Sequence, residues 1–159
     1  MKRNQTTNAI CKKVFLTGLF ALTLFSNTAL AQRISQSQVP SVIVNSFQKS
    51  FPKAYDVEWK LKGEHYKVEF EIGLLGTDHD AWYDKTGKLI RHKEEISKSD
   101  LPQKVVAKIN SDFKDYRVDD VEKITEGDKV IYKIELKSFS EEWKVSFDAE
   151  GAILSKVAD

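Results

Sequence analysis

Tyr66-Lys67-Val68-Glu69-Phe70 is answered later in the chain by Tyr132-Lys133-Ile134-Glu135-Leu136. Each stretch alternates apolar and charged side chains. A period of two sends one set to each face of a strand, so both read as half-buried antiparallel strands. Two copies of one pattern also mark the chain as a tandem repeat. On the amino-terminal side, Val57-Glu58-Trp59-Lys60-Leu61 alternates as well and turns at Gly63-Glu64. Its counterpart, Val121 to Thr125, turns at Gly127-Asp128. On the carboxy-terminal side a third strand ends at Tyr83-Asp84 or Phe147-Asp148, and short last strands run through Leu89 or Ile153. Asp84-Lys85-Thr86-Gly87 and Asp148-Ala149-Glu150-Gly151 recur as turns. Aspartate opening a turn and glycine taking positive φ at its end explain both without a ligand.

Each strand set follows a helix. Val39, Ile43, Phe47 and Phe51 fall four apart, as do Leu101, Val105, Ile109 and Phe113. That spacing keeps one stripe on one helix face. Pro40 and Pro102 stand in the first turns, where a missing N–H breaks no intrahelical bond. Ser37 and Asp100 are the expected caps, and Pro52 ends the first helix. The spacing predicts helices over about 40–51 and 101–113, with strands over about 56–96 and 119–157. A unit of about 60 residues is marginal alone. The fold class is therefore α+β. Two helix-plus-meander repeats, 32–97 and 98–159, share one continuous antiparallel sheet with both helices on one face. Glu94 to Asp100 reads as a short linker that keeps the halves touching.

The order Val39-Pro40, Phe51-Pro52, Val57 with Trp59, Tyr66/Val68/Phe70 and Tyr83-Asp84 with Gly87 resembles the PepSY-like, beta-lactamase-inhibitor-like proteins. The resemblance covers residues 39 to 159. The second half keeps Leu101-Pro102, Phe113 and Phe147-Asp148 with Gly151, but has Lys114 for the proline and Lys123 for the tryptophan. It implies a small exported protein of Bacteroidetes-type bacteria with the α+β fold of a beta-lactamase inhibitor. The family name records a similarity of fold, and the matching residues are structural. No catalytic or binding positions carry over.

The first 31 residues have the three-part layout of a secretory signal peptide. Lys2, Arg3, Lys12 and Lys13 are followed by an uncharged run from Val14 to Phe25, then by Ala29-Leu30-Ala31. The apolar run is shorter than the roughly 20 residues that span a bilayer. Cleavage is expected after Ala31, giving a periplasmic or extracellular protein with no stable membrane insertion. Cys11 precedes the apolar run, so it is not a lipid-accepting cysteine. The signal holds four of the 25 basic side chains and the single cysteine; 21 basic against 24 acidic remain, a net charge of −3. That balance excludes a nucleic-acid binder, and the absence of a thiol excludes disulfides and thiol catalysis.

No catalytic residues emerge, because there is no Gly-x-Ser-x-Gly elbow and no nucleophile in register with a base. His65, His79 and His92 have spacings that match no metal motif. Asp78-His79-Asp80 is the densest polar cluster. On a strand its carboxylates face one side and its imidazole the other; only on a loop would the oxygens ligate a hard cation. A solvated hairpin is preferred, and no metal or cofactor is expected. Trp82 is expected on the face away from the helices, among Lys67, Glu69 and Glu71, a hot-spot composition. A ring lying flat on lysine stems is the competing account. Trp59 and Trp143 go to the core. Leu74 and Leu75, between Gly73 and Gly76, are expected to pack beneath the end of the sheet, with contact to a partner as the other reading. The expected function is a non-enzymatic exported binding or inhibitor-like protein. It would engage an envelope protein or peptide through the open face with Trp82, Lys67, Glu69, Leu74 and Leu75. A small-molecule or divalent-metal binder is the alternative.

Overall fold

The computed structural model describes residues 32–159. The signal peptide, Cys11 and the cleavage point lie outside the described residues. Nine strands form one antiparallel sheet: β1 (Gln32–Ile34), β2 (Tyr55–Lys62), β3 (His65–Ile72), β4 (Thr77–Tyr83), β5 (Leu89–Glu95), β6 (Arg117–Glu126), β7 (Lys129–Lys137), β8 (Glu142–Phe147) and β9 (Ile153–Ala158). Their order across the sheet is their order in the chain. Helix α1 (Ser41–Ser50) precedes β2 and α2 (Gln103–Asp112) precedes β6. The α+β reading of two helix-plus-meander repeats on one sheet holds.

Each helix lays its four-spaced stripe on the inward set of its own strands. Val39, Ile43 and Phe47 meet Trp59, Val68, Phe70, Ala81 and Tyr83, with Phe51 half-buried at their edge. Leu101, Val105, Ile109 and Phe113 meet Val121, Tyr132, Ile134, Leu136, Val145 and Phe147. Trp59 is buried in the first cluster, while Trp143 is only partly buried against the second. Both aspartate turns are closed by their own carboxylates. Asp84 Oδ1 accepts from the Thr86 and Lys88 amides at 2.8 and 3.1 Å, and Asp148 Oδ1 from those of Glu150 and Ala152 at 3.0 and 2.8 Å. Gly151, at φ 84°, also lies where a Cβ would meet the Lys104 carbonyl oxygen at 2.7 Å. Its turn is pressed onto the start of α2, and only glycine fits.

Three local expectations change. Ser37 and Asp100 do not cap the helices; they belong to single 3₁₀ turns at Gln36–Gln38 and Lys98–Asp100. Pro40 and Pro102 themselves occupy the N-cap positions, at φ −53° and −56°. Proline's locked φ orients the chain into the first turn without a side-chain cap. Glu94 and Glu95 are not linker but the end of β5, paired with Lys123 and Glu122 of β6. This pairing welds the two halves, and Lys123 Nζ at 2.9 Å from Glu94 compensates one of the charges placed there. Finally, β1 precedes the first helix and pairs Arg33 with Lys60.

Candidate functional site

The face opposite the helices is uncovered and carries most of the sheet's charge. Strand register sets Lys60 directly opposite Lys67 and Glu58 opposite Glu69. Like charges facing each other are unfavourable, so the side chains pair along diagonals instead. Lys60 Nζ lies 2.6 Å from Glu69, Lys67 Nζ 2.6 Å from Glu69 and 3.1 Å from Asp80, and Lys93 Nζ 3.2 Å from Asp80. Glu122 then bridges Lys93 and Lys133, both at 2.9 Å. At the other end Glu58 joins Lys60 to Arg33, at 3.3 and 2.6 Å. The result is an alternating ladder from β1 to β7. Burial works against the carboxylates of Glu69 and Glu122, but hydrogen bonds from their lysines outweigh it and hold both below the usual carboxylate range.

Trp82 sits within this ladder on the open face, as expected from its parity. Its ring is half-buried, with Lys67 Nζ 5.1 Å and the Arg91 guanidinium 4.8 Å from its centre. Lys67, Glu69 and Trp82 are therefore brought together, but both charges are already engaged with neighbours. Leu74 and Leu75 are not part of this surface. They stand fully exposed at the β3–β4 tip, at 105% and 99% of the reference area, so the expected packing beneath the sheet does not occur. Tyr55 Oη donates to the Gly73 carbonyl at 2.9 Å, and the Gly76 amide donates to the same carbonyl at 3.4 Å, so the tip closes on its own backbone. Phe139 is equally exposed in the β7–β8 connection.

Beside the ladder runs a row that is not neutralised. Glu71 stands opposite Asp78, and Glu95 opposite Glu122. Asp56 and Asp120 extend the row into β2 and β6, next to bulges in both strands. Asp56 has φ 51°, the one positive value at a non-glycine among the described residues. Among the described residues Asp56, Glu71, Asp78, Glu95 and Asp120 take part in no ion pair, although Lys67 and Lys93 border the depressions they line. Single carboxylates are too common in the sequence to single these out. Their grouping needs the register of five strands.

Asp78, His79 and Asp80 lie in β4, so the loop reading that would gather them around one ion does not apply. Asp78 and Asp80 point to the open face. His79 points under α1 and is 8% exposed. There its Nδ1 lies 3.1 Å from Nε2 of His92, with the rings within 1° of parallel. Phe70 stacks on His79 at 5.2 Å, and Phe51 lies 4.9 Å from His92. Burial pushes both imidazoles below their ordinary pKa, against the nearby charge of Glu94. This pair was missed because it depends on Ala81 standing opposite His92, a register the spacing does not disclose.

The family model described as beta-lactamase-inhibitor-like, PepSY-like matches residues 27–91 and again 64–155. No curated protein matches the chain. A protein of Bacteroides eggerthii described as periplasmic shares the fold, with a TM-score of 0.67 and 17% identity over 76% of this chain and 88% of that one. A DUF2874 family protein of Bacteroides ovatus gives 0.65 and 19%, covering 75% and 86%. A BLIP-like protein of Bacteroides fragilis gives 0.63 and 19%, covering 75% and 85%. At these identities the likeness is one of fold.

Proposed function

The chain belongs to the beta-lactamase-inhibitor-like, PepSY-like family, and from that premise we propose a non-enzymatic exported protein that binds a basic segment of an envelope protein or peptide on its open sheet face. The observation that carries this reading is the acidic row. Five carboxylates stand without ion pairs beside a ladder in which the other charges are matched. A lysine or arginine arriving over Glu71 and Asp78 gains their attraction and also relieves the repulsion between them. Trp82, on the same open face beyond the Asp80 rung, offers an aromatic surface of the kind that anchors interfaces. The charged rim sets the rate of encounter and the choice of partner more than the final affinity.

The family and the BLIP-like fold support a binding role over a catalytic one. The periplasmic description of a fold neighbour supports an exported location. No helix among the described residues is long and apolar enough to cross a membrane.

The test uses the chain from Gln32 onward, which carries the whole described fold, and fluorescence polarisation of a labelled lysine/arginine-rich peptide. An uncharged peptide of equal length is the comparison. The basic peptide should bind more tightly, weaken as salt is raised, and lose about tenfold or more in affinity when Glu71→Gln, Asp78→Asn and Glu95→Gln are combined. Trp82→Ala should weaken capture while leaving stability within about 1 kcal/mol. Equal binding of the two peptides, or no response to the triple neutralisation, refutes the reading.

A further inference from the structure

We propose that His79, His92 and Glu94 form a site for one divalent transition-metal ion of the zinc class, with water completing its coordination. One donor atom from each residue lies within 4.8 Å of the others. Two imidazoles and a carboxylate suit zinc, and three protein ligands leave one position open. The two ring nitrogens are 3.1 Å apart. Two nitrogens bound to one tetrahedral zinc at about 2.0–2.1 Å stand about 3.3 Å apart. The two nitrogens are therefore nearly at the bound spacing, and the Glu94 carboxylate, within 4.8 Å, closes in as the third ligand. Without an ion the two nitrogens stand at hydrogen-bonding distance, one able to donate to the other. Binding replaces that hydrogen bond and tilts each ring so that both lone pairs converge.

The repeat supplies an internal comparison. In β8 and β9, Trp143 stands opposite Ala158 and Val145 opposite Lys156, just as His79 stands opposite Glu94 and Ala81 opposite His92. The equivalents of His79, His92 and Glu94 are thus Trp143, Lys156 and Ala158. There the slot is filled by Lys156 Nζ lying 3.9 Å over the Trp143 ring, an arrangement with no metal-binding capacity. The fold therefore does not require histidine at these positions, yet the first half places three ligands in the same slot. They sit on adjacent paired strands, and Phe70 and Phe51 hold the rings from either side. Paired strands fix where the three residues stand, so only the side chains need to turn.

Charge is accounted for as well. Glu94 is paired with Lys123 at 2.9 Å. An arriving ion takes over the ammonium's role, and the lysine, half-exposed on β6, swings to solvent. His92 and Glu94 are half-buried, so the ion has access from the side of the sheet between the two halves. This assignment is independent of the peptide-binding reading, which concerns the other face.

The test is zinc titration of the tag-free chain from Gln32 onward, in competition with a chromophoric chelator, with cobalt as a spectroscopic substitute. One equivalent of zinc should bind, cobalt should show the visible bands of a four-coordinate site, and calcium, which prefers oxygen ligands, should not compete. His92→Gln and Glu94→Gln each should weaken zinc by at least about tenfold. Glu64→Gln, in the turn between β2 and β3, should leave it unchanged. The variants spare His79, whose replacement would disturb the core, and circular dichroism is to check that they fold. Absence of stoichiometric binding, competition by calcium, or zinc affinity unchanged in both His92→Gln and Glu94→Gln overturns the proposal.

Discussion

Replacing Asp80 by asparagine keeps the shape of the side chain and removes the carboxylate in the middle of the ladder. One of its oxygens lies 3.1 Å from Lys67 Nζ and the other 3.2 Å from Lys93 Nζ, and the side chain is 13% exposed. Exposed ion pairs contribute about 0–1 kcal/mol, whereas breaking a fully buried one costs about 3–5 kcal/mol. Asp80 lies between these limits. Neither lysine is stranded by its loss, because Lys67 retains Glu69 at 2.6 Å and Lys93 retains Glu122 at 2.9 Å. The expected cost is about 2 kcal/mol, which for a chain of this size lowers Tm by about 7 °C. The assay is urea unfolding at neutral pH, followed by circular dichroism. Glu64→Gln is the comparison. Its partner Lys85 lies at a similar 3.1 Å, but both side chains are largely in water, 80% and 66% exposed, so stability should stay at the wild-type value. If Asp80→Asn is within about 0.5 kcal/mol of wild type, the ladder is surface decoration and the reasoning fails.

Two further outcomes follow from the repeat and the ladder. Tyr83 is fully buried, its hydroxyl has no well-formed hydrogen bond, and burial pushes its pKa up to about 12. The equivalent position in the second half is Phe147, so Tyr83→Phe should stabilise the fold by about 1 kcal/mol, and a loss in thermal unfolding would show that Ser50 satisfies the hydroxyl after all. The ladder also fixes a dependence on pH. Glu69 and Glu122 are held below their ordinary 4.5 in the folded chain. Their contribution is therefore complete above that pH and is lost as pH falls through the lower folded values. Lys93, held above its ordinary 10.5, behaves in the opposite sense, and its contribution is lost as pH rises through the folded value. Urea midpoints should drop as pH falls below 4.5 and less so in Glu69→Gln; an unchanged slope in that variant would show that the loss arises elsewhere.

The elements whose periodicity survives within one strand or one helix were legible in the sequence. Tyr66, Val68 and Phe70 announce the core face of β3 by alternation, and the four-spaced stripes of both helices sit where their spacing places them. Trp82 could be put on the open face by parity alone. What could not be read depends on which residue stands opposite which. Glu94 and Glu95 look like linker because two adjacent carboxylates break the alternation, and only pairing with β6 makes them strand. The histidine pair requires the β4–β5 register, and the acidic row requires five strands and two bulges. Leu74 and Leu75 failed for a different reason. Their hydrophobicity argued for cover, but the tip that carries them closes through its own backbone and leaves both side chains in water.

The agreement between strand order in the sheet and order in the chain bears on how the molecule is made. A polypeptide is synthesised amino end first. Here each newly made strand finds its partner already waiting, and only the last strand formed holds an edge open for the next. The ends brought together are always near in sequence, so loop-closure costs stay small. Assembly can then keep pace with synthesis, strand by strand, leaving at any moment a single growing edge to be shielded. At completion that edge is β9, whose six residues remain exposed.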